Sequence, residues 1–325
     1  GSDLTPSEVT DRLERLGGRV HRGHDADNIE GADVVVVSSA VTSGNPEIVA
    51  ARERLVPVIP RVEMLAELMR MKYSVAVGGT HGKTTTTSLI SAVLSAGGLD
   101  PTVVVGGKIK TMGSGARLGA SQYMVAEADE SDGSFLKLSP TLAVVTTVDE
   151  EHLDYYAGLD EIKEAFTTFA NSVPFYGCSI VCLDQENIQS IIGDIGRRVI
   201  TYGLAGQADV QALDVKATGE RTRFSVSAGG RELGGIEITM PGMHNVYNSL
   251  AAVAVGLELG VPFEHTARAL GEFEGISRRF EIKGEVHDVL VLDDYGHHPV
   301  EIRTTLSAAA SRWNRRLVVL FQPHR

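Results

Sequence analysis

The sequence predicts an α/β fold built on a mostly parallel sheet, with a group of antiparallel strands at one side. Continuous apolar runs of strand length, such as residues 32–40 and 73–77, suit strands that are covered on both faces. They alternate with segments of helical length and periodicity, as in residues 159–171. Between residues 209 and 240 the pattern changes to short alternating segments separated by glycine, which indicate antiparallel strands.

The first third of the chain predicts a small α/β domain. Its expected elements are a helix at 5–18, a strand at 32–40, a helix at 45–55, and a short strand followed by a helix within 56–70. The first helix begins with Thr and Ser residues and ends at a double glycine, which are ordinary start and stop signals. A nucleotide-binding α/β domain usually opens with a strand and a glycine-rich turn. Because neither precedes this helix, the amino terminus is expected to be incomplete.

The rest of the chain predicts a larger α/β domain and the start of another. Strands are expected at 73–77, 102–105, 123–127, 142–148 and 179–183, helices at 84–96, 159–171, 245–260 and 263–273, antiparallel strands at 221–228 and 235–240, and a linker at 275–283. Residues 289–299 and 316–325 then indicate the beginning of a strand-helix-strand unit. One such unit cannot bury its own apolar face, so a third domain is expected to be cut short.

The composition excludes some classes of protein. The 325 residues are 43% hydrophobic and 22% charged, and their formal charge of −12 argues against a general binder of nucleic acid or of an anionic membrane. No apolar run in the sequence reaches the ~20 residues of a membrane-spanning helix. Cys178 and Cys182 are too few for a disulfide framework, so we expect buried thiols in a reducing cytoplasm.

The stretch VGGTHGKTTTTS, residues 77–88, joins a predicted strand to a predicted helix and suits a phosphate group. The first backbone N–H groups of a helix are unpaired, and its dipole is positive there. Lys83 adds a point charge and Thr84 a hydroxyl suited to a magnesium ion. Val77 stands where a standard P-loop has its first glycine, so a tight turn without a ligand is the alternative interpretation.

Two further predicted strands end in polar residues. Glu127 follows an apolar strand, with Glu130 and Asp132 in the loop beyond it, and His152 follows three acidic residues after the next strand. Taken separately, these are a solvated acidic turn and a structural histidine. Together with the loop around Thr84, they give a hard cation oxygen and imidazole ligands near a phosphate chain.

Polar residues at a predicted helix start form another candidate site. His244, Asn245 and Asn248 occur in the stretch PGMHNVYNSLAA. An asparagine there can cap the helix. Its amide carries a donor and acceptors, so it can equally contact the edge of a purine.

The predicted junction before the last strand-helix-strand unit carries two arginines. Arg278 and Arg279 are either solvated or able to close onto a phosphate or carboxylate. Farther on, Asp294 ends a predicted strand, and His297 and His298 precede a proline. Adjacent histidines do not easily bind one metal ion, so we expect nucleotide or substrate contacts here.

The order of these motifs resembles that of the Mur ligase family. The motifs are GTHGKTTT, EADESDGSF, EEHLDYY, GMHNVYN, SRRFE, DDYGHHPVEI and FQPHR, and they extend over essentially the whole chain. The family's loop has the form GxxGK[ST], so the resemblance accounts for Val77. It also implies three domains: a Rossmann-like N-terminal domain at 1–72 for the UDP part of the substrate, a P-loop ATPase central domain at 73–277, and the start of a Rossmann-like C-terminal domain at 278–325 that closes over ATP and the amino acid.

The resemblance implies roles by position. The catalytic residues would be Lys83, His152 and Arg278. The metal ligands would be Thr84, Glu127 and His152, for Mg²⁺ or alternatively Mn²⁺. ATP would be bound by Gly79, Thr80, His81, Gly82, Lys83, Thr84, Thr85, His244, Asn245, Asn248, Arg279 and Asp294. The other substrates would be bound by Ser38, Ser39, Ala40, Arg61, Glu63 and His297.

The resemblance is strongest to the branch that joins L-alanine to UDP-N-acetylmuramate through an acyl phosphate, in peptidoglycan precursor synthesis. Later-acting members carry a modified lysine after the histidine motif; here Phe166 or Thr167 stands near that place, and Lys163 is about one turn earlier. The alternatives are the ligase that reattaches recycled murein tripeptide to UDP-N-acetylmuramate, and an ATP-binding module without turnover. The resemblance implies a cytoplasmic monomer or weak homodimer with no nucleic-acid or membrane partner.

Overall fold

The computed structural model describes residues 1–109, 114–218, 221–313 and 315–323. It divides the chain into two compact units, Gly1–Leu68 and Met69–Arg325. The last two residues of the FQPHR motif lie outside the described part. No helix among the described residues has the length and apolar character needed to cross a membrane.

The first unit is a small α/β arrangement. Its elements are β1 (Ser2–Asp3), α1 (Glu8–Arg15), β2 (His21–Arg22), β3 (Val35–Val37), α2 (Pro46–Glu53), β4 (Val58–Pro60) and the first part of α3 (Arg61–Arg70). The expectation that no strand precedes its first helix is wrong, because Ser2–Asp3 pairs in parallel with His21–Arg22. Helix α1 begins at a capping box in which Ser7 and Thr10 satisfy each other's backbone N–H groups. Helix α2 has Asn45 as its cap and Pro46 in its first turn. Local start signals therefore account for both helices.

The predicted strand at 32–40 is shorter and less covered than expected. Strand β3 contains three residues, and it pairs in parallel with β4. The Val36 side chain is 42% exposed, so the prediction of a strand covered on both faces is wrong for the part of the chain that the structure describes.

The second unit is organised by one sheet of ten strands. Its elements are β5 (Tyr73–Gly78), α4 (Lys83–Ala96), β6 (Thr102–Ile109), β7 (Ser114–Arg117), β8 (Tyr123–Glu127), β9 (Leu142–Val145), α5 (Leu159–Asn171), β10 (Cys178–Cys182), α6 (Glu186–Ile192), β11 (Val199–Gly203), β12 (Val210–Thr218), β13 (Arg221–Ala228), β14 (Arg231–Ile238), α7 (Met243–Glu258), α8 (Phe263–Gly271), β15 (Glu281–Val286), β16 (Val289–Asp293) and α9 (Pro299–Arg312).

The strand order of this sheet is β14-β13-β12-β11-β10-β9-β5-β8-β6-β7. The strands from β11 to β6 run parallel, whereas β12, β13 and β14 form an antiparallel group at one side. Val75, Ala76 and Val77 in the central strand β5 are fully buried. Because successive side chains of a strand point to opposite faces, both faces of the sheet are covered there. The predicted fold class is confirmed.

Three predicted boundaries need correction. The strand expected at 142–148 ends at Val145, because the chain turns there to line the edge of the sheet. The expected linker at 275–283 overlaps β15, whose first residues pair with β16 in an antiparallel hairpin. Residues 316–323 form no strand, since Leu317, Val318 and their apolar neighbours are exposed and no described strand pairs with them.

Phe169 links the core to the end of β5. It is fully buried, its ring centroid is 5.2 Å from that of Phe135, and its ring lies against Gly78. We expect Phe169→Ala to lower the free energy of unfolding by about 3–5 kcal/mol, because it removes buried apolar surface and leaves a cavity. Urea unfolding followed by circular dichroism measures this difference.

Phe175 is the matched control, because its side chain is 89% exposed. Phe175→Ala is expected to change the free energy of unfolding by less than about 0.5 kcal/mol. Equal losses in the two variants would contradict the packing described for α5.

Candidate active site

The strand order brings the three predicted polar strand ends side by side. Strand β5 lies between β9 and β8, with Val77 opposite Glu127 and Gly78 opposite Val145. All three strands are parallel, so their carboxyl ends share one edge of the sheet. Ligands of α/β sheets bind at this edge.

The loop between β5 and α4 is shaped by two glycines. Gly79 has φ +132°, and a Cβ there would lie 2.0 Å from the Thr146 hydroxyl oxygen. Gly82 has φ +81°, and a Cβ there would lie 2.7 Å from the Asn248 side-chain oxygen. A larger residue at either position would displace the loop from its supports.

The residues that follow β9 hold this loop in place. The Thr80 N–H donates to the Thr147 carbonyl (2.9 Å), and the His81 N–H donates to the Thr147 hydroxyl (2.9 Å). The Asp149 N–H donates to the Thr80 hydroxyl (2.8 Å), and the Thr146 hydroxyl donates to the His81 carbonyl. The loop is therefore preorganised by its neighbour in the sheet.

Lys83 is the first residue of α4, and its ammonium group has three acceptors. It donates to the carbonyls of Gly79 (2.8 Å) and Thr80 (3.2 Å) and to Oε1 of Glu130 (2.7 Å). Its side chain is 15% exposed. A positive charge is thus held against the loop.

Glu130 contacts both Lys83 and His152 through one oxygen. It is 2% exposed, and His152 Nε2 lies 3.4 Å from Oε1, while Oε2 is buried with no hydrogen-bond partner among the described residues. The hydrogen bond that His152 donates to the Glu130 carboxylate is the main reason why the pKa of His152 is raised. Tyr156 fixes the main chain of Glu130 by donating to its carbonyl oxygen (2.7 Å).

A second carboxylate lies on the other side of the loop. Glu127 Oε1 accepts from the Thr84 hydroxyl (3.0 Å), and its Oε2 accepts from the Gly106 N–H (2.8 Å). Separately, ligand atoms of Glu130, Glu151 and His152 lie within 4.8 Å of one another. These oxygen-rich groups and the unpartnered oxygen of Glu130 fit a hard divalent cation such as Mg²⁺.

A cavity of about 990 Å³ opens beside the loop. Its lining includes nine residues that the sequence assigned to nucleotide binding: His81, Gly82, Thr84, Thr85, His244, Asn245, Asn248, Arg279 and Asp294. The lining does not include Gly79, Thr80 and Lys83, which make the contacts with one another that are described above. The volume is that of a small-molecule site.

The two asparagines at the start of α7 bond to protein groups. The Asn245 amide donates to the Pro241 carbonyl (2.7 Å), and its oxygen accepts from the Asn248 amide (3.1 Å). The Asn248 oxygen accepts from the Thr86 hydroxyl (3.1 Å) in the first turns of α4. Both asparagines are buried, whereas His244 is exposed on the cavity wall. The two asparagines therefore support the first turns of α4, which directly follow the loop.

The two arginines at the predicted junction flank Tyr295. The guanidinium carbon of Arg278 lies 4.7 Å from the ring centroid, and that of Arg279 lies 5.7 Å from it. Asp294 accepts from the N–H groups of Phe280 and Gly296, both at 2.8 Å. These contacts hold the β15–β16 hairpin to the turn before α9.

Glu301 in the first turn of α9 is a site residue that was not identified from the sequence. Its carboxylate lies 3.6 Å from His81, 3.5 Å from Arg279 and 3.7 Å from His297. Burial opposes ionisation, yet the contacts with His81 and Arg279 hold the pKa of Glu301 well below its usual range. Its signal in the sequence is a capping box with His298, followed by Pro299.

The predicted substrate residues of the first unit follow its parallel strands β3 and β4. Ser38, Ser39 and Ala40 form an exposed turn after β3, and Arg61 and Glu63 lie in the first turn of α3, directly after β4. They share the carboxyl edge of the β3–β4 pair.

Three family models match successive parts of the chain. The Mur ligase family catalytic domain matches residues 1–73, the Mur ligase middle domain residues 77–256, and the Mur ligase glutamate ligase domain residues 278–325.

Individual relatives agree with this assignment. The UDP-N-acetylmuramate--L-alanine ligase of Geotalea daltonii is 57% identical over 325 residues, which are 100% of this chain and 71% of that protein. The crystal structure of the UDP-N-acetylmuramate-alanine ligase of Thermotoga maritima superposes with a TM-score of 0.83 at 31% identity, covering 100% of this chain and 75% of that one. A UDP-N-acetylmuramate:L-alanyl-gamma-D-glutamyl-meso-diaminopimelate ligase from Neisseria meningitides gives a TM-score of 0.75 at 28% identity, covering 86% of this chain and 91% of that one. This chain belongs to the Mur ligase family.

Proposed function

We propose that the protein is an ATP-dependent ligase that joins L-alanine to UDP-N-acetylmuramate. The observation that carries the proposal is the sheet edge at which the glycine loop, Lys83 and the Thr84–Glu127 pair meet beside a nucleotide-sized cavity. The 57% identity to an alanine ligase over the whole chain favours L-alanine as the amino acid. Among the solved structures, the alanine ligase is 31% identical and the tripeptide ligase 28% identical.

The proposal divides the chain into three domains, at 1–72, 73–277 and 278–325. The boundaries of the matching family models support this division. The first domain would hold the UDP part of the substrate through Ser38, Ser39, Ala40, Arg61 and Glu63. The second would hold ATP, and the third would close over ATP and the amino acid.

The reaction requires two anions to meet. The lactyl carboxylate of UDP-N-acetylmuramate attacks the γ-phosphate of ATP, which gives an acyl phosphate and ADP. The amino group of L-alanine then attacks the acyl carbonyl, and phosphate leaves. Positioning and charge neutralisation are the main demands of such a transfer.

The chain supplies this neutralisation locally, although its formal charge is −12. Lys83 would contact the β and γ phosphates, and the loop N–H groups would hold their oxygens. Thr84 and Glu127 would hold one Mg²⁺ ion and His152 a second, and these ions would neutralise phosphate charge when they are bound. Arg278 would add positive charge on the side of the third domain.

The cavity beside the loop suits the remainder of the nucleotide. His244 and Asn248 would hold the adenine, and Asp294 the ribose, with Arg279 close to the phosphates. Asn245 would support Asn248 from the same turn of α7. His297 would face the amino-acid substrate. The buried cysteines and the use of ATP support a cytoplasmic location, and we propose a monomer or weak homodimer.

A substrate panel tests this proposal on the full-length enzyme. Phosphate release with ATP, Mg²⁺ and UDP-N-acetylmuramate is expected to require L-alanine. Turnover with a meso-diaminopimelate tripeptide and none with L-alanine would instead identify the recycling ligase. If calorimetry detects ATP and Mg²⁺ binding but no amino acid supports turnover, the protein is an ATP-binding module.

We expect Lys83→Ala to lower kcat for L-alanine-dependent phosphate release by about 10²–10³-fold or more, because it removes a cation aimed at the transferred phosphoryl group. The assay is phosphate release at saturating substrates. Lys216→Ala, at an exposed position in β12, is the matched control and should retain activity. Comparable activity in both variants would remove Lys83 from the mechanism.

We expect the pKa of His152 to exceed the ordinary histidine value of about 6.5 in the ligand-free protein. Glu130→Gln should lower this pKa, because the glutamine cannot stabilise the charged imidazole as a carboxylate does. An NMR titration of the imidazole resonances measures both values. Asp132→Asn is the control in the same loop, and an unchanged His152 pKa in Glu130→Gln would show that the close contact is not formed.

A further inference from the structure

The side chain of His81 turns away from the phosphate loop that contains it. Three carboxylates surround the imidazole: Asp149 at 3.5 Å from Nε2, and Glu151 at 4.0 Å and Glu301 at 3.6 Å from Nδ1. The side chain is only 13% exposed. Its ring centroid also lies 4.9 Å from that of His298.

The backbone of His81 belongs to the phosphate loop. Its N–H and carbonyl are both bonded to threonines that follow β9, as described above. A substitution of the side chain therefore leaves the groups that shape the loop intact. The backbone and the side chain of His81 can therefore have different functions.

Glu301 connects this imidazole to the segment that precedes α9. Its Oε2 accepts from the backbone N–H of His297 (3.2 Å), and its Oε1 lies 3.5 Å from Arg279. His297 Nε2 also lies 3.8 Å from Glu151, a residue of the loop after β9. The contacts thus join the phosphate loop and the loop after β9 to the turn at 295–298 through the carboxylates of Glu301 and Glu151, both of which are partly buried.

We infer that His81 is a positioning residue, which through Glu301 holds the start of α9 and His297 against the phosphate loop. The inference rests on the proposed function in placing the amino-acid substrate near His297. It assigns the His81 side chain to the alignment of the third domain and leaves to the His81 backbone the shaping of the phosphate loop. Loss of the side chain should then weaken use of the amino acid more than binding of ATP.

A double-mutant cycle tests the coupling between the two residues. The variants are His81→Ala, Glu301→Gln and the double variant, measured in the full-length enzyme. His81→Ala is expected to raise KM for L-alanine about tenfold, while Kd for ATP changes less than about threefold. The double variant should be no worse than the poorer single variant, since both remove one interaction.

Hydrogen exchange provides a readout that does not depend on turnover. Backbone amides in the first turn of α9 are expected to exchange about tenfold faster in ligand-free His81→Ala than in the unchanged protein. His81→Gln keeps a polar side chain whose amide can donate to Glu301, so it should restore part of the protection. Hydrogen exchange therefore tests the positioning role of His81 separately from the proposed function, because exchange is altered even if L-alanine proves not to be the substrate.

Glu150→Gln is the matched control, since Glu150 lies between Asp149 and Glu151 but is exposed. It should leave both exchange and KM unchanged. The inference is overturned if His81→Ala leaves α9 exchange unaltered, if its effects add to those of Glu301→Gln, or if ATP binding falls as much as L-alanine use. Circular dichroism establishes that each variant is folded before these comparisons are made.

Discussion

The contact between Lys83 and Glu130 is the interaction on which the rest of the site depends. Two charged groups are brought together at 2.7 Å, and Glu130 is almost entirely buried. Desolvation of a buried pair is costly, and removal of one partner typically costs about 3–5 kcal/mol because the other charge is left uncompensated. Here the two loop carbonyls bond to the same ammonium group, so the pair also fixes the loop. The position of the cation and the shape of the loop are therefore set together.

The sheet makes this arrangement possible because β5 lies between β9 and β8. The loop, the acidic segment after β8 and the histidine segment after β9 leave the sheet at one edge. Each segment supports the next: threonines after β9 hold the loop, Glu127 binds Thr84, and Glu130 joins Lys83 to His152. In this way a protein with a net negative charge can hold the Lys83 ammonium group and a site for a metal cation at one edge of its sheet.

Much of this could be predicted from the sequence, and the failures have physical causes. Lys83, Thr84, Glu127 and His152 were identifiable because each follows an apolar strand, and parallel strands end at a common edge. Glu130 was not distinguishable from its acidic neighbours, because only the folded loop shows which carboxylate is buried against Lys83.

The same limit applies to residues whose partners are distant in sequence. Glu301 carries a local capping signal, but its contact with His81 depends on the packing of α9 beside the loop. The Asn248 side-chain oxygen accepts from the Thr86 hydroxyl in α4, a contact that no local pattern indicates. The apolar stretch from 316 was predicted as a strand, yet a strand needs a partner, and none of the described strands lies beside it.

An isotope experiment tests directly whether the γ-phosphoryl group of ATP is transferred to a carboxylate at this edge of the sheet. UDP-N-acetylmuramate labelled with ¹⁸O in its lactyl carboxylate would be turned over with ATP and L-alanine, and the products analysed by mass spectrometry. One ¹⁸O atom from each carboxylate is expected to appear in inorganic phosphate, with ADP as the nucleotide product. Label in AMP, together with release of pyrophosphate, would contradict this transfer.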